Sequence, residues 1–221
     1  MQTLIQSAAA LVLTLVSAGG LPTNAVAANE QLQVLCTPTS ELASSTPAAD
    51  LVRRGLHLQA GGCGAERSGE AETFFVRGVA APGDAEHQAW ALRTLADLRS
   101  VDGKGFEDVE SLLAVAQTRS QHYAWLHAEA WVRFRQTRHQ EAARILEQLV
   151  SGRMHHTAWP WAMFYDDLGD AYAALGRLED AKVQWRHALK VSSRAGVSAN
   201  PRELPWDRQA VVRKLARLEV Q

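Results

Sequence analysis

Two cysteines, Cys36 and Cys63, are all the thiol chemistry that 221 residues hold. Two thiols cannot build a dense disulfide scaffold, a four-cysteine zinc site or an iron–sulfur cluster held by four thiolates. A charge surplus is missing too: 23 Lys and Arg stand against 24 Asp and Glu, a net charge of −1. That balance argues against a protein built mainly to grip nucleic acid or an anionic membrane. Long apolar runs are also lacking. The stretch from Leu4 to Ala18 is interrupted by Gln6, Ser7, Thr14 and Ser17, and it falls short of the roughly 20 apolar residues a helical span needs. The familiar enzyme signatures are absent: there is no GxxxxGK followed by Ser or Thr, no GxGxxG after a strand, no GxSxG and no HExxH. What remains is 47% hydrophobic and 21% charged, an ordinary folded composition that excludes wholesale disorder. The length suits one domain, or a short repeat array, with a sizeable core.

Residues 1–27 carry no charged side chain. Ala8 to Ala18 is a short apolar core, Gly19, Gly20 and Pro22 break it, and Ala25-Val26-Ala27 puts small residues at an A-x-A cleavage site. The segment is expected to be a secretory signal peptide cut before Ala28, although Met1 to Ser7 lacks the usual Lys or Arg. The rival, an uncleaved anchor, is opposed by the shortness of the run. Leu35 precedes Cys36 where a lipobox needs a small residue, so lipidation is not expected. The expected location is the periplasm or the exterior, with no membrane span after cleavage. Export favours pairing of Cys36 with Cys63, a cross-link that restricts the unfolded chain by about 3 kcal/mol in the loop-entropy model. Two unpaired thiols are the alternative; neither residue has CxxC spacing.

Beyond residues 28–47, a lead-in ending in Ser, Thr, Pro and Ala, helical periodicity dominates and no strand alternation is sustained. Thr46 is expected to cap a first helix with Pro47 at its first position. Helices are expected at about 51–60, 70–79, 84–99, 106–117, 120–136, 139–150, 161–175, 178–192 and 206–219. They are separated by Gly61, Gly62 and Gly64, by Pro82-Gly83, by Asp102-Gly103-Lys104-Gly105, by Gly152, by Gly176 and by a Pro-rich joint at Pro201 and Pro205. Paired antiparallel helices are the economical arrangement.

The strongest internal pattern is Tyr165-x2-Leu168-Gly169-x2-Tyr172-x8-Ala181-x3-Trp185-x2-Ala188, with Gly176 between its halves. Gly169, Ala181 and Ala188 lack bulk, so two helices can approach closely while Tyr165, Leu168, Tyr172 and Trp185 fill the space beside them. This stretch resembles the tetratricopeptide repeat (TPR) family, whose unit is a 34-residue helix–turn–helix. Tyr165 stands for the usual Trp, Trp185 for the usual Phe and Ser193 for the usual Pro. Leu126, Ala130, Ala142, Leu146 and Leu149 repeat the spacing one pair earlier, but Glu129 and Arg133 fall where large apolar residues belong. Leu95, Ala96, Val109, Leu113 and Ala116 fit with one extra turn residue. Gly55, Leu58, Ala71, Phe75 and Gly78 fit with four extra residues, around Cys63. The resemblance implies an all-α, right-handed solenoid of about four TPR-like hairpins over residues 48–200 with a capping helix within 201–221. In that helix Val211, Leu215 and Leu218 share the apolar face, and Arg208, Arg213, Lys214 and Arg217 lie largely off it.

By the same resemblance the first helix of each pair lines the concave surface. In the third pair that surface takes in His127, Trp131 and Arg135; in the fourth it takes in Met163, Asp166 and Asp170, each set stepping along one helical face. Carboxylate-clamping TPRs use Lys and Asn there, so two aspartates point instead to a basic or neutral partner. Packing competes with binding as the role of Trp131. Asp166-Asp167 and His155-His156 are the other chemically suggestive pairs. Adjacent side chains on a helix diverge, so the aspartates are expected to be exposed, and the histidines to be a solvated loop pair without a third ligand. No cofactor and no metal is expected. Residues 186–221 hold eight Lys and Arg against three Asp and Glu, a basic end suited to a solvated cap or to self-association. The expected function is non-catalytic: an exported interaction module or assembly scaffold that binds a protein or peptide on its concave face, with no nucleic acid. The alternative is an accessory subunit or hydrolase of the cell envelope with a site built from helix ends.

Overall fold

Ala48 begins the first long helix because Pro47 cannot continue one backwards: its φ of −63° and ψ of 150° make it the N-cap. Thr46 is not the cap. Its hydroxyl donates to the Ala43 carbonyl at 2.7 Å, and the Ala48 N–H finds the Pro82 carbonyl at 2.8 Å, so no side-chain cap is needed. The computed structural model describes residues 34–119, 122–152, 158–194 and 206–219. Residues 1–27, His155-His156, Pro201 and Pro205 lie outside them.

The described residues are helical, with no strand. After a 3-10 turn at Thr39–Glu41 come α1 (Ala48–Gln59), a 3-10 segment at Ala65–Glu70, α2 (Ala71–Ala80), α3 (Ala85–Asp102), α4 (Glu107–Arg119), α5 (Tyr123–Arg135), α6 (His139–Ser151), α7 (Ala158–Ala174), α8 (Leu178–Arg194) and α9 (Arg208–Glu219). The chain divides into two compact units, Met1–Asp84 and Ala85–Gln221, inside the stretch expected as a single array.

In the first unit α1 and α2 pair through Leu51, Leu58, Phe74 and Phe75, all fully buried. Gly55 permits the approach: a Cβ there would overlap the Phe75 ring. The segment before α1 is tied down by arginines. Arg77 donates to the carbonyls of Thr39 at 2.6 Å and Leu42 at 2.9 Å, and Arg67 to that of Cys36 at 2.6 Å. Cys36 and Cys63 are joined by a disulfide.

In the second unit α5 packs on α3, α4 and α6, and α7 on α6 and α8, with α9 against α8. The α7–α8 contact is made as the small residues suggested: a Cβ at Gly169 would overlap the Trp185 indole, and Ala181 and Ala188 are fully buried. The earlier pair lies at a constant offset of 39 residues, with Ala130 matching Gly169, Ala142 matching Ala181 and Leu146 matching Trp185. Leu126 departs from that pattern and is 40% exposed. Glu129 and Arg133 make polar contacts to α4 in place of apolar packing: Gln117 donates to Glu129 at 2.8 Å and Arg133 to Glu110 at 2.6 Å.

Both turns close alike. The Arg177 N–H donates to the Tyr172 carbonyl and the Arg138 N–H to the Arg133 carbonyl, each at 2.9 Å, with Gly176 at φ 75° and Thr137 at φ 62°. The left-handed position suits glycine and strains a β-branched residue. Thr137→Gly is therefore expected to stabilise the protein by about 1 kcal/mol, whereas Gly169→Ala, which forces an indole held on both sides, should cost about 1–3 kcal/mol. Urea midpoints measure both.

Candidate functional site

Helical spacing sets polar residues of α3, α5 and α7 facing one another inside the second unit. Arg93 and Asp97 lie one turn apart on α3, His127, Trp131 and Arg135 at successive turns of α5, and Asp166, Asp167 and Asp170 on α7.

The innermost group joins all three helices. Arg93 Nη1 lies 2.8 Å from Asp167 Oδ2, and His127 Nε2 lies 2.6 Å from the same oxygen. Arg93 Nη1 is also 2.9 Å from His127 Nδ1. Arg93 Nη1 is 2.5 Å from Nε2 as well, so the guanidinium lies across both ring nitrogens, and the Nε2–H tautomer donates to Asp167. Arg93, His127 and Asp167 are 7%, 3% and 7% exposed. Burial, then the positive charge of Arg93, pushes His127 down to about 4, so the ring is neutral at pH 7. Burial alone would raise Asp167, but the Arg93 charge and the His127 hydrogen bond outweigh it and hold the acid at about 2. Both ring nitrogens are engaged and the ring is enclosed, with Phe164 edge-on at 4.5 Å. The imidazole therefore offers no nitrogen to a substrate, despite its His–Asp pairing.

One turn along, Trp131 Nε1–H donates to Asp97 Oδ1 at 2.8 Å, and Arg135 Nε donates to the same oxygen. Two guanidinium groups lie against the Trp131 ring, Arg93 at 4.5 Å and Arg135 at 4.7 Å from its centroid, and Phe134 stacks on it at 5.3 Å. Burial raises the Asp97 carboxyl against the opposing pull of Arg135 and Trp131. Trp131 and Arg135 remain half-buried.

The third group lies where α9 meets α7. Lys214 Nζ is 2.8 Å from Asp166 Oδ1 and 2.7 Å from Asp170, while Trp206 Nε1–H donates to Asp166 at 3.2 Å and Trp185 Nε1–H to Asp170 at 3.1 Å. Burial raises Asp166 to about 7 against Lys214, with Asp170 and Asp167 adding to the rise. Asp170 is raised by burial too, and Lys214 is raised by its two carboxylates, which outweigh burial. Two acids on one ammonium leave an uncompensated negative charge, and protonating Asp166 removes it.

Of the expected concave residues, His127, Met163 and Asp166 are buried, Asp170 is held by Lys214 and Trp185, and Trp131 and Arg135 keep partial exposure. The expectation that Asp166 and Asp167 are solvent-facing is corrected: they are 8% and 7% exposed. Their side chains do diverge, but each meets a cation from another helix. Sequence inspection missed Arg93, Asp97 and the role of Lys214, because an Arg–Asp pair on a helix looks the same whether it faces water or a neighbour. Comparison with family models, with curated proteins and with solved structures finds no match for this chain.

Two groups bring opposite pH dependences. His127 moves from 6.5 to about 4, so between those values the unfolded chain binds more protons and the His127 contribution rises with pH. Asp166 moves from 3.8 to about 7, so the folded chain binds more and the Asp166 contribution falls with pH. Urea unfolding from about pH 4.5 to 6.5 is expected to give a shallow slope for the wild type, a rising one for Asp166→Asn and a falling one for His127→Gln. Three identical slopes would refute the assignment.

Proposed function

We propose that this chain is an exported, non-catalytic TPR-type interaction module, with residues 1–27 acting as a cleaved signal peptide and the periplasm or exterior as its location. In this reading the pairs α1/α2, α3/α4, α5/α6 and α7/α8 are TPR-like hairpins, assembled as a right-handed solenoid, and α9 is the cap. The constant offset between the last two pairs, the matching turns at Thr137 and Gly176 and the Gly169–Trp185 contact support it. The disulfide and the lack, among described residues, of a helix long and apolar enough to cross a membrane are compatible with export.

One observation carries the choice of partner. Lys214, from a helix of the same chain, sits between Asp166 and Asp170 beneath the Trp185 indole, with its ammonium 5.8 Å from that ring. The face that the resemblance assigns to ligands thus accepts a helix bearing a lysine. The proposed partner presents such a helix or peptide and takes the place of α9, with Trp131 and Arg135 as the neighbouring half-buried anchors.

In-cell crosslinking of the tagged full-length chain, followed by mass spectrometry, tests this. Wild type should capture a few reproducible partners. Lys214→Ala should raise that capture severalfold by vacating the carboxylates, and the double variant Lys214→Ala/Asp170→Lys should abolish it while circular dichroism shows the helices intact. Recovery of the chain alone in every case, or capture indifferent to both variants, would overturn the proposal.

A further inference from the structure

The first unit carries a second, unrelated cluster. The Sγ atoms of Cys36 and Cys63 and a ring nitrogen of His57 all lie within 4.8 Å of one another. His57 comes from the last turn of α1, Cys63 from the glycine-rich loop that follows, and Cys36 from the segment before α1. Arg67 holds the Cys36 carbonyl at 2.6 Å, which anchors that backbone independently of the sulfur bond.

Two details go beyond what a structural disulfide requires. His57 Nε2 is shielded from solvent and has no hydrogen-bond partner among the described residues. Leaving a buried ring nitrogen without a partner costs about 1–3 kcal/mol. The loop is also shaped to keep the ring in place: a Cβ at Gly62 would overlap the imidazole, and Gly61 and Gly64 adopt φ of 78° and 96° on either side. The imidazole is thereby held beside both sulfurs with an uncommitted nitrogen.

We propose that Cys36, Cys63 and His57 form a binding site for copper(I) when the disulfide is reduced. Two thiolates and one imidazole form a soft, three-ligand set, which matches a thiophilic d10 cation content with three donors, whereas zinc on the same three donors needs a water as its fourth ligand, beside a ring nitrogen that is shielded from solvent. The cysteine Cα atoms are 5.6 Å apart. Rotation about the Cα–Cβ bonds can therefore part the sulfurs to about 4.0 Å, the separation that metal–sulfur bonds of about 2.3 Å require in a trigonal site. The reductant is a thiol: two equivalents deliver two electrons and two protons, giving two cysteine thiols and one external disulfide. Binding of copper(I) then releases both protons as the thiolates form. Bound metal would replace the disulfide as the tie between the N-terminal segment and the end of α1.

The full-length chain, reduced and freed of reductant without oxygen, is titrated against copper(I) held by a colorimetric chelator. The reduced chain is expected to withdraw one copper per molecule, and the disulfide form none. Cys36→Ser/Cys63→Ser should abolish the transfer, and His57→Ala should weaken it by about a hundredfold or more, since even outer-shell changes at metal sites cost 10- to 100-fold. Circular dichroism follows the helices throughout. No withdrawal by the reduced chain, equal affinity in His57→Ala, copper retained by the double serine variant, or helices lost on reduction and not restored by copper would each overturn the proposal.

Discussion

A carboxylate enclosed by three helices needs a cation, and much of the second unit is arranged around that requirement. Asp167 on α7 meets Arg93 of α3 at 2.8 Å, and His127 of α5 completes the group. Removing one partner of such a buried pair leaves a bare charge, typically at a cost of about 3–5 kcal/mol, although the intact pair contributes little over well-packed apolar residues. The network therefore adds little stability of its own, while each of its members depends on the others being present. The guanidinium that neutralises Asp167 also lies against Trp131, so the charged group and the aromatic layer beside it share a residue. His127 stays neutral because burial disfavours its charged form and the Arg93 cation beside it adds to that effect.

Close helix approach comes from a different source. On α7 the missing side chain of Gly169 lets the Trp185 indole rest on the backbone, and Asp170 accepts the indole N–H. The next residue outward in this chain of contacts is Lys214, which uses Asp170 and Asp166 together. Packing and charge thus meet on a single helix. One side of α7 takes a cation from α3 and the other takes one from α9, and the single-residue step from Asp166 to Asp167 separates the two.

The first unit has only a short helical pair and meets the small-domain problem in another way. Its core is two phenylalanines and a few aliphatic residues, and the segment before α1 is fastened by arginines to its own carbonyl groups and by a sulfur bridge. Glycine has two roles there. Gly55 lets α1 and α2 touch, and Gly62 keeps an imidazole next to the bridge.

The sequence by itself determined the helices. Apolar periodicity and the glycine and proline breaks placed each described helix from α1 to α9 to within a few residues, and the small residues Gly169, Ala181 and Ala188 indicated where α7 and α8 would meet. Backbone propensity and burial of apolar surface are local or face-wide properties, so they leave a trace in the order of residues. Pairing of Cys36 with Cys63 was favoured over two unpaired thiols on the expectation of export, and the two are bonded. Only the tertiary structure decided the fate of the charged side chains. Asp166 and Asp167 looked solvent-facing and are buried, Lys214 looked like an outer-surface residue and reaches inward, and the Arg93 guanidinium is locked to an aspartate more than seventy residues away. A charge on a helix follows the same spacing whether it meets water or a counter-charge. The difference between the two is set by which helix comes alongside, and that distance is fixed in space rather than along the chain.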